Sequence, residues 1–247
     1  MIIKGAVAMV TGGARGIGYA FCEELLKKGA KVVVLIDVLT GEGTDAQASL
    51  QAEYGPGSAV FIECDVTKNE DLKSAMNTVI KEHGKLDILC NNAGVAHQTD
   101  WEKTLNVNLG GVIRGTKLGL ELMSSGAIIN TASAAGIAPW GIGPVYSATK
   151  SGVIGFTRAT AISQEAVEKG IRVNCLCPGA TDTPVIRKAM ENLPIVLKKP
   201  LMRTEVIAKA LIQLIANDSK NGEALVILDE QTSGYHQFNE LGVFKPN

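Results

Sequence analysis

The sequence predicts an α/β fold of the doubly wound type, a seven-stranded and mostly parallel sheet with helices on both faces. Short β-branched runs alternate with helical periodicity from one end of the chain to the other, which is the pattern of such a sheet. No linker rich in Pro, Gly or Ser divides the chain, and no internal repeat occurs. We therefore expect one domain over residues 1–247.

The predicted elements follow the apolar pattern. Strands are predicted at residues 6–10, 31–36, 59–63, 86–90, 127–130, 172–177 and 224–228. Helices are predicted at residues 17–28, 40–53, 69–83, 104–123, 145–166, 185–192 and 204–216. The tail from about residue 234 to 247 lacks periodicity, so we expect it to be irregular.

Composition argues against several function classes. Hydrophobic residues make up 46% of the chain, and a net charge of −1 gives no electrostatic reason to bind nucleic acid. No apolar run reaches the roughly 20 residues of a membrane span, and the amino terminus lacks a signal-peptide core. We expect a cytoplasmic protein with no nucleic-acid partner and no membrane insertion. Five dispersed cysteines and three distant histidines favour buried free thiols and no metal site.

A glycine-rich turn, Thr11-Gly-Gly-Ala-Arg-Gly-Ile-Gly18, joins the first strand to the first helix. Gly12 permits the tight turn, Gly16 lets the backbone approach a pyrophosphate, and Gly18 lets the helix pack on the strand, as in Rossmann-type folds. Asp37 ends the second strand about 20 residues later, where that fold places an acid against a ribose 2′-hydroxyl. The predicted cofactor is NAD rather than NADP, because an acid repels a 2′-phosphate. The alternative is that Arg15, inside the glycine turn, binds the 2′-phosphate of NADP.

Tyr146 and Lys150 lie four residues apart at the start of a predicted helix, so both side chains share one face. A phenol is a poor base at neutral pH, but a neighbouring ammonium stabilises its phenolate and lowers its pKa. The spacing favours general acid–base chemistry on an alcohol, with Lys150 also able to hold the nicotinamide ribose. A solvated pair without chemistry is the alternative.

Taken in order, these motifs resemble the short-chain dehydrogenase/reductase family over essentially the whole chain. The glycine turn, Asn91-Asn-Ala-Gly94, a serine thirteen residues before the tyrosine and Tyr-x-x-x-Lys carry the resemblance. It implies that Tyr146 is the general acid/base, Lys150 tunes it, Ser133 binds the substrate oxygen and Asn108 holds a water in a proton relay. It also implies a homodimer or homotetramer, in which the predicted helices at 104–123 and 145–166 pair between subunits.

The residues expected to contact the cofactor follow the strand ends, where doubly wound sheets bind ligands. Those after the sixth strand come from the resemblance, as the loop on the nicotinamide side. The set is Gly12, Arg15, Gly16, Ile17, Gly18, Asp37, Val38, Cys64, Asp65, Val66, Asn92, Ala93, Gly94, Tyr146, Lys150, Pro178, Gly179, Thr181, Asp182 and Thr183.

Within the family, Trp101-Glu-Lys-Thr-Leu105, Pro144-Val-Tyr146 and Gly155-Phe-Thr-Arg158 resemble the branch of NAD-dependent 15-hydroxyprostaglandin dehydrogenases and insect alcohol dehydrogenases. The prostaglandin enzymes carry a glutamine three residues before the tyrosine, where this chain has Gly143. A glycine cannot supply that side chain's hydrogen bond to the substrate, which argues against prostaglandin specificity.

Residues 184–203 are rich in apolar side chains where the family has a mobile lid, so the expected substrate is an apolar secondary or allylic alcohol of lipid, terpenoid or steroid type. The predicted pocket comprises Ser133, Ala135, Trp140, Gly143, Val185, Ile186 and Met190. Packing of the apolar residues on the core is the alternative. Two other functions stay open, a non-catalytic protein that binds a dinucleotide or lipophilic ligand, and an NAD-dependent isomerase or cyclase.

Overall fold

One eight-stranded sheet forms the centre of the computed structural model, which describes residues 1–96, 99–191 and 201–238, excluding the side chains of residues 189–191. The strands are β1 (Val7–Thr11), β2 (Val32–Asp37), β3 (Ala59–Glu63), β4 (Ile88–Asn91), β5 (Gly126–Thr131), β6 (Ile171–Pro178), β7 (Ala224–Ile227) and β8 (Ser233–Tyr235). Their order is β3-β2-β1-β4-β5-β6-β7-β8, and every neighbouring pair is parallel except β7 with β8.

Helices cover the sheet. They are α1 (Gly16–Lys27), α2 (Thr40–Tyr54), α3 (Asn69–His83), α4 (Trp101–Leu105), α5 (Val112–Leu122), α6 (Pro144–Ala161), α7 (Gln164–Glu168), α8 (Pro184–Glu191) and α9 (Thr204–Ala216). A π-helical turn, Asn106–Gly111, joins α4 to α5, and a 3₁₀ turn, Ala134–Gly136, follows β5. Among the described helices, none has the length and apolarity to cross a bilayer.

Alternation along the strands feeds two separate cores. On β1, Ala8 and Val10 join the cluster under α1 and α9, whereas Val7 and Met9 join the cluster under α3 and α5. All four residues are fully buried. A strand buried on both faces belongs in a parallel sheet between two helical layers. The predicted Rossmann-type class is confirmed.

The strand order reverses between β1 and β4, because β2 and β3 extend the sheet on one side and β4 to β7 on the other. Connections after these two strands leave in opposite directions and open a crevice at the carboxyl ends, the usual ligand position in such sheets. The fold therefore places the site at the ends of β1 and β4.

The structure corrects the prediction for the carboxyl-terminal tail. The sheet has eight strands rather than seven, because residues 233–235 pair antiparallel with β7. Two cation–π contacts hold this segment: the Lys220 amine lies 4.2 Å from the Tyr235 ring, and the Arg158 guanidinium lies 3.8 Å from the Phe238 ring. A three-residue strand is too short to show periodicity. Residues 239–247 of the predicted tail lie outside the described residues.

Two predicted helices are also divided. The helix expected at 104–123 begins at Trp101 and passes through the π-helical turn before α5. The helix expected at 145–166 ends at Ala161, and Ser163 starts α7 by accepting a hydrogen bond from the Ala166 backbone amide. Residues 192–200 of the predicted lid lie outside the described residues. A single domain over residues 1–247 stays a prediction.

Candidate active site

A cleft of about 1660 Å³ runs along the carboxyl ends of the strands. One end is formed by the loops after β1, β2 and β3, and the other by the loops after β5, β6 and β7. Asp37 lines the first end, and Ser133 and Tyr146 line the second. The loop after β4 lies between them.

The glycine turn forms the floor of the first end. Gly12 and Gly16 have φ values of +65° and +60°, a conformation that favours glycine. A Cβ on Gly12 would lie 2.9 Å from the Ala93 Cα, and one on Gly18 would lie 2.0 Å from the Gly12 carbonyl oxygen. The side chain of the N-cap residue, Arg15, does not cap α1, and Gly16 and Ile17 line the cleft, so the first backbone N–H groups of the helix are available as anion donors.

Asp37 and its neighbours close the same end. The carboxylate accepts hydrogen bonds from the backbone amides of Ala14 and Leu39, both at 3.2 Å, which fix its position beside the glycine turn. Val38 is 57% exposed and lines the cleft with a bare apolar surface. Arg15, which the sequence left as a possible phosphate ligand, lies 3.4 Å from the Glu42 carboxylate in an exposed ion pair.

The loop after β3 contributes a rigid acid. Burial raises the pKa of Asp65, but hydrogen bonds from the Thr67 amide and hydroxyl outweigh that effect and hold it below its ordinary value. Burial, reinforced by the charges of Asp71 and Asp65, raises the pKa of the adjacent Cys64 thiol to about 12. Cys64 therefore lines the cleft as a neutral, unreactive thiol.

The loop after β4 connects the two ends. Thr11 on β1 accepts hydrogen bonds from the backbone amides of Asn92 and Ala93 at 2.8 and 2.9 Å. Asn108, in the π-helical turn, pairs with Val95: its side chain accepts from the Val95 amide and donates to the Val95 carbonyl, both at 2.8 Å. A π-helical turn is a common feature at functional sites. Here the turn carries Asn108, which holds the loop after β4 in place.

Three side chains converge at the second end. Ser133 follows β5, where its hydroxyl accepts from the Ala135 amide and donates to the Pro178 carbonyl at 3.3 Å. Tyr146 and Lys150 come from the first two turns of α6. The Lys150 amine donates to the Thr131 carbonyl at 2.7 Å and lies 5.7 Å from the centre of the Tyr146 ring. The sequence predicted this convergence.

Burial controls the proton affinities of this group. It raises the pKa of Tyr146, and a hydrogen bond with Ser133 opposes that rise. Burial lowers the pKa of Lys150 to about 8, and the charge of Cys177 opposes that fall. The sequence predicted a lowered phenol pKa beside the ammonium. The net direction is the reverse, because burial disfavours the phenolate more than the hydrogen bond with Ser133 favours it.

The loop after β6 reaches back over the glycine turn. A Cβ on Gly16 would lie 3.3 Å from the Thr183 methyl group, so the two loops meet above the middle of the cleft. Thr181 donates to the Gly179 carbonyl and Thr183 accepts from the Ile186 amide, which stiffens the loop. Both threonines line the cleft.

Several predicted residues lie off the cleft wall. Asp182 forms a two-bond ion pair with Arg187 at 2.5 and 2.7 Å and does not line the cleft. Gly143 is buried and donates its amide to the Trp140 carbonyl at 2.9 Å. Gly18 and Asn108 pack behind the lining residues. The side chain of Met190 lies outside the described residues.

Other lining residues were not anticipated. Leu228 and Asp229 follow β7 at the second end, and Glu102 and Lys103 belong to α4. The rule that ligands bind at the carboxyl ends of strands applies equally to β7 and would have found Leu228 and Asp229. Nothing in the local sequence marks α4 as part of the wall.

The residues present fit a dinucleotide. The cleft is long, its floor is a glycine turn at an uncapped helix start, and a fixed carboxylate stands at the end of β2. Comparison with known proteins decides the family, because the short chain dehydrogenase model matches residues 6–194. The chain belongs to the short-chain dehydrogenase family. It is an oxidoreductase that acts on hydroxyl groups with NAD as cofactor.

The relatives agree with this membership. The chain is 42% identical to 15-hydroxyprostaglandin dehydrogenase [NAD(+)] of Bos taurus, over 92% of each chain. It is 36% identical to the mitochondrial borneol dehydrogenase of Lavandula x intermedia, over 88% of this chain and 86% of that protein. The crystal structure of levodione reductase superposes with a TM-score of 0.82 at 27% identity, over 92% of this chain and 98% of that one. The predicted cofactor, NAD, is confirmed.

Proposed function

We propose that the chain interconverts an apolar secondary or allylic alcohol, of lipid, terpenoid or steroid type, and its carbonyl, with Tyr146 as the general acid/base. The observation that carries this proposal is the meeting of Tyr146, Ser133 and Lys150 at one end of a cleft that has Asp37 and the glycine turn at its other end. A protein that only bound its ligands would need no buried amine beside a phenol.

The nucleotide end of the proposed site comprises the cofactor residues that line the cleft. NAD, when bound there, supplies the acceptor for hydride from the alcohol carbon. Asp37 would accept hydrogen bonds from the adenosine ribose, and the first amides of α1 would hold the pyrophosphate. Gly12 and Gly16 keep that backbone free of side chains.

At the other end, the proton of the alcohol moves between the substrate oxygen and the Tyr146 phenol. In the oxidation direction the phenolate accepts that proton while the Ser133 hydroxyl, turned away from the Pro178 carbonyl, donates a hydrogen bond to the same oxygen. The Lys150 ammonium, held by the Thr131 carbonyl, stabilises the phenolate that burial disfavours. Oxidation is the favoured direction, because cells usually keep NAD oxidised.

Asn108 enters the proposal through the loop that it holds. A Cβ on Gly94 would lie 3.4 Å from the Asn108 side-chain oxygen and 3.7 Å from the Lys150 amine, so the three residues adjoin. A water beside Asn108 would continue the proton path from Lys150 towards solvent. This is the relay that the family resemblance implies.

The substrate end supports an apolar ligand. Trp140 meets the Tyr146 ring edge to face, with the ring centres 6.4 Å apart, so its indole lies beside the proposed acid/base. The Trp140 amide donates to the Ser147 hydroxyl at 2.9 Å, which fixes the loop that carries it. Val185 and Ile186 of α8 line the facing side. Such walls take a substrate with few polar groups near the hydroxyl.

Quaternary structure and localisation stay predictions. Trp101 and Leu105 on α4 are 52% and 42% exposed, and α4 packs beside α6, one of the helices expected to pair between subunits. A homodimer or homotetramer would cover these side chains. Light scattering during size-exclusion chromatography measures the mass directly, and subcellular fractionation tests the cytoplasmic location.

The experiment that tests the proposed function mixes the protein with NAD and a panel of apolar secondary alcohols, allylic terpenols, hydroxylated fatty acids and hydroxysteroids. Growth of NADH absorbance with a member of this panel supports it, and NADP in parallel measures the cofactor preference. Silence across the panel from protein that binds NADH would contradict it. A product with the mass of its substrate would instead indicate an isomerase or cyclase.

A further inference from the structure

Arg114, on the first turn of α5, makes hydrogen bonds that the proposed reaction does not use. One terminal nitrogen of its guanidinium lies 2.7 Å from the Asn106 side-chain oxygen. The other donates to the Asn106 carbonyl at 3.4 Å and to the Val66 carbonyl at 3.5 Å. The group therefore joins the loop after β3 to the π-helical turn.

Both joined segments form walls of the cleft at its first end. Asp65, Val66 and Thr67 line it on one segment, and Asn106 and Val107 line it on the other. Arg114 itself does not line the cleft. It stands behind the walls and sets their spacing.

Two glycines make room for this arrangement. A Cβ on Gly110 would lie 2.8 Å from the terminal nitrogen of Arg114 that bonds both carbonyls. A Cβ on Gly111 would lie 2.9 Å from a Val66 methyl group. Neither glycine has a positive φ, so the absence of a side chain serves close approach rather than backbone conformation.

We propose that Arg114 is a positioning residue for the adenosine half of the cofactor, acting by holding the Val66 and Asn106 walls at the spacing that the base requires. A planar guanidinium suits this task because two of its nitrogens can bond separate acceptors in a fixed geometry, which an ammonium cannot do. The inference rests on the proposed placement of the nucleotide, with adenosine at the end of β2 and β3.

The test measures the affinity for ADP-ribose, which carries the adenosine half and no nicotinamide, by calorimetry on the full chain. In Arg114→Met we expect its Kd to rise about tenfold, the size of effect produced by losing a charged hydrogen-bonding group. The KM for NAD should rise by the same factor, with kcat at saturating NAD unchanged. Arg114→Lys keeps the charge without the fork, so it should behave like Arg114→Met.

A second variant reaches the same contact without touching the arginine. Gly110→Ala should push the guanidinium away from both carbonyls and raise the Kd for ADP-ribose in the same direction. The controls are Lys117→Met, which removes one positive charge from an exposed site on α5, and Gly155→Ala, whose Cβ would meet no atom of the described residues within 4 Å. Both controls should bind ADP-ribose as the unmodified chain does.

Several outcomes would overturn the inference. Unchanged ADP-ribose affinity in Arg114→Met and Gly110→Ala removes the positioning role, and full affinity in Arg114→Lys reduces it to charge alone. An equal loss of kcat, with a large fall in melting temperature, assigns Arg114 to general stability. Failure of the unmodified chain to bind ADP-ribose would instead contradict the proposed nucleotide placement.

Discussion

The two ends of the cleft are built from different materials. At the nucleotide end the floor is a glycine turn, with two glycines at positive φ, an uncapped helix start and one carboxylate fixed by two amides. At the substrate end the surface is mainly side chain, with Trp140, Val185 and Ile186 beside the reactive phenol. Few residue types are compatible with the backbone geometry of the nucleotide end, whereas many combinations of apolar residues can form the wall at the substrate end.

This difference explains why the sequence identifies the cofactor more clearly than the substrate. The same nucleotide half needs the same turn in any protein of this fold, so the residues that permit the turn are recognisable. A substrate wall is defined only by shape and apolarity, which core packing also requires. Variants at the two ends should therefore fail in different ways.

The largest effect is expected where the two ends meet. Tyr146→Phe removes the proton acceptor, so kcat should fall by about 10²- to 10⁴-fold, the usual contribution of a general acid/base. NADH binding should stay nearly intact. Stopped-flow turnover and NADH fluorescence titration measure the two quantities. Tyr54→Phe on α2 is the matched control, and loss of NADH binding in Tyr146→Phe would argue against the assigned role.

The buried amine should carry a cost in stability that depends on pH. With the pKa of Lys150 lowered from 10.5 to about 8, the unfolded chain binds more protons between those values, so the free energy of unfolding rises with pH there. Relative to Lys150→Met, the unmodified chain should gain about 3 kcal/mol between pH 8 and 10.5. Urea unfolding at several pH values checks this, and a difference independent of pH would contradict it.

The third prediction concerns a variant that changes the nucleotide end alone. Asp37→Asn keeps the size of the side chain and one of the two oxygens that accept from the Ala14 and Leu39 amides, but it loses the charge that repels a 2′-phosphate. The preference for NAD over NADP should fall by about tenfold to a hundredfold, because juxtaposed like charges cost a few kcal/mol. Steady-state kcat/KM with each cofactor measures the ratio. An unchanged ratio would show that Asp37 does not select the cofactor.

The smallest effect is expected from a variant that changes the substrate end alone. Trp140→Ala removes an aromatic wall beside Tyr146, so the KM for an apolar alcohol should rise by about tenfold, with the KM for NAD unchanged. The other tryptophan, Trp101, lies on α4 and outside the cleft wall, so Trp101→Ala is the control. Equal changes in the KM values of alcohol and NAD would remove the distinction between the ends.

The sequence was most informative where a residue type has one physical use. The nucleotide end was predicted from the sequence alone, by turn glycines that leave no room for a Cβ beside a carbonyl and by an acid at a strand end. Tyr146 and Lys150 were singled out by their spacing of four on a helix, and the family resemblance then implied their roles. Each of these signals is local, so it survives without knowledge of the fold.

Other features depend on contacts between distant segments. Strand β8 pairs with β7, Lys220 contacts Tyr235 within it and Arg158 contacts Phe238 just after it, and no local pattern reveals these contacts. The raised phenol pKa depends on burial, which sequence spacing does not reveal, so spacing alone predicted the wrong direction. Asp182 resembled a cofactor ligand in sequence, but Arg187, one helical turn away, occupies its carboxylate.

The most direct test of the proposed reaction follows a hydride rather than a colour change. An apolar secondary alcohol carrying deuterium on its carbinol carbon is incubated with the protein and NAD. The mass of the recovered NADH is then measured by mass spectrometry. The proposal requires one deuterium in the NADH and a ketone product that has lost it. A product formed while the recovered nucleotide contains no deuterium would contradict hydride transfer between alcohol and NAD.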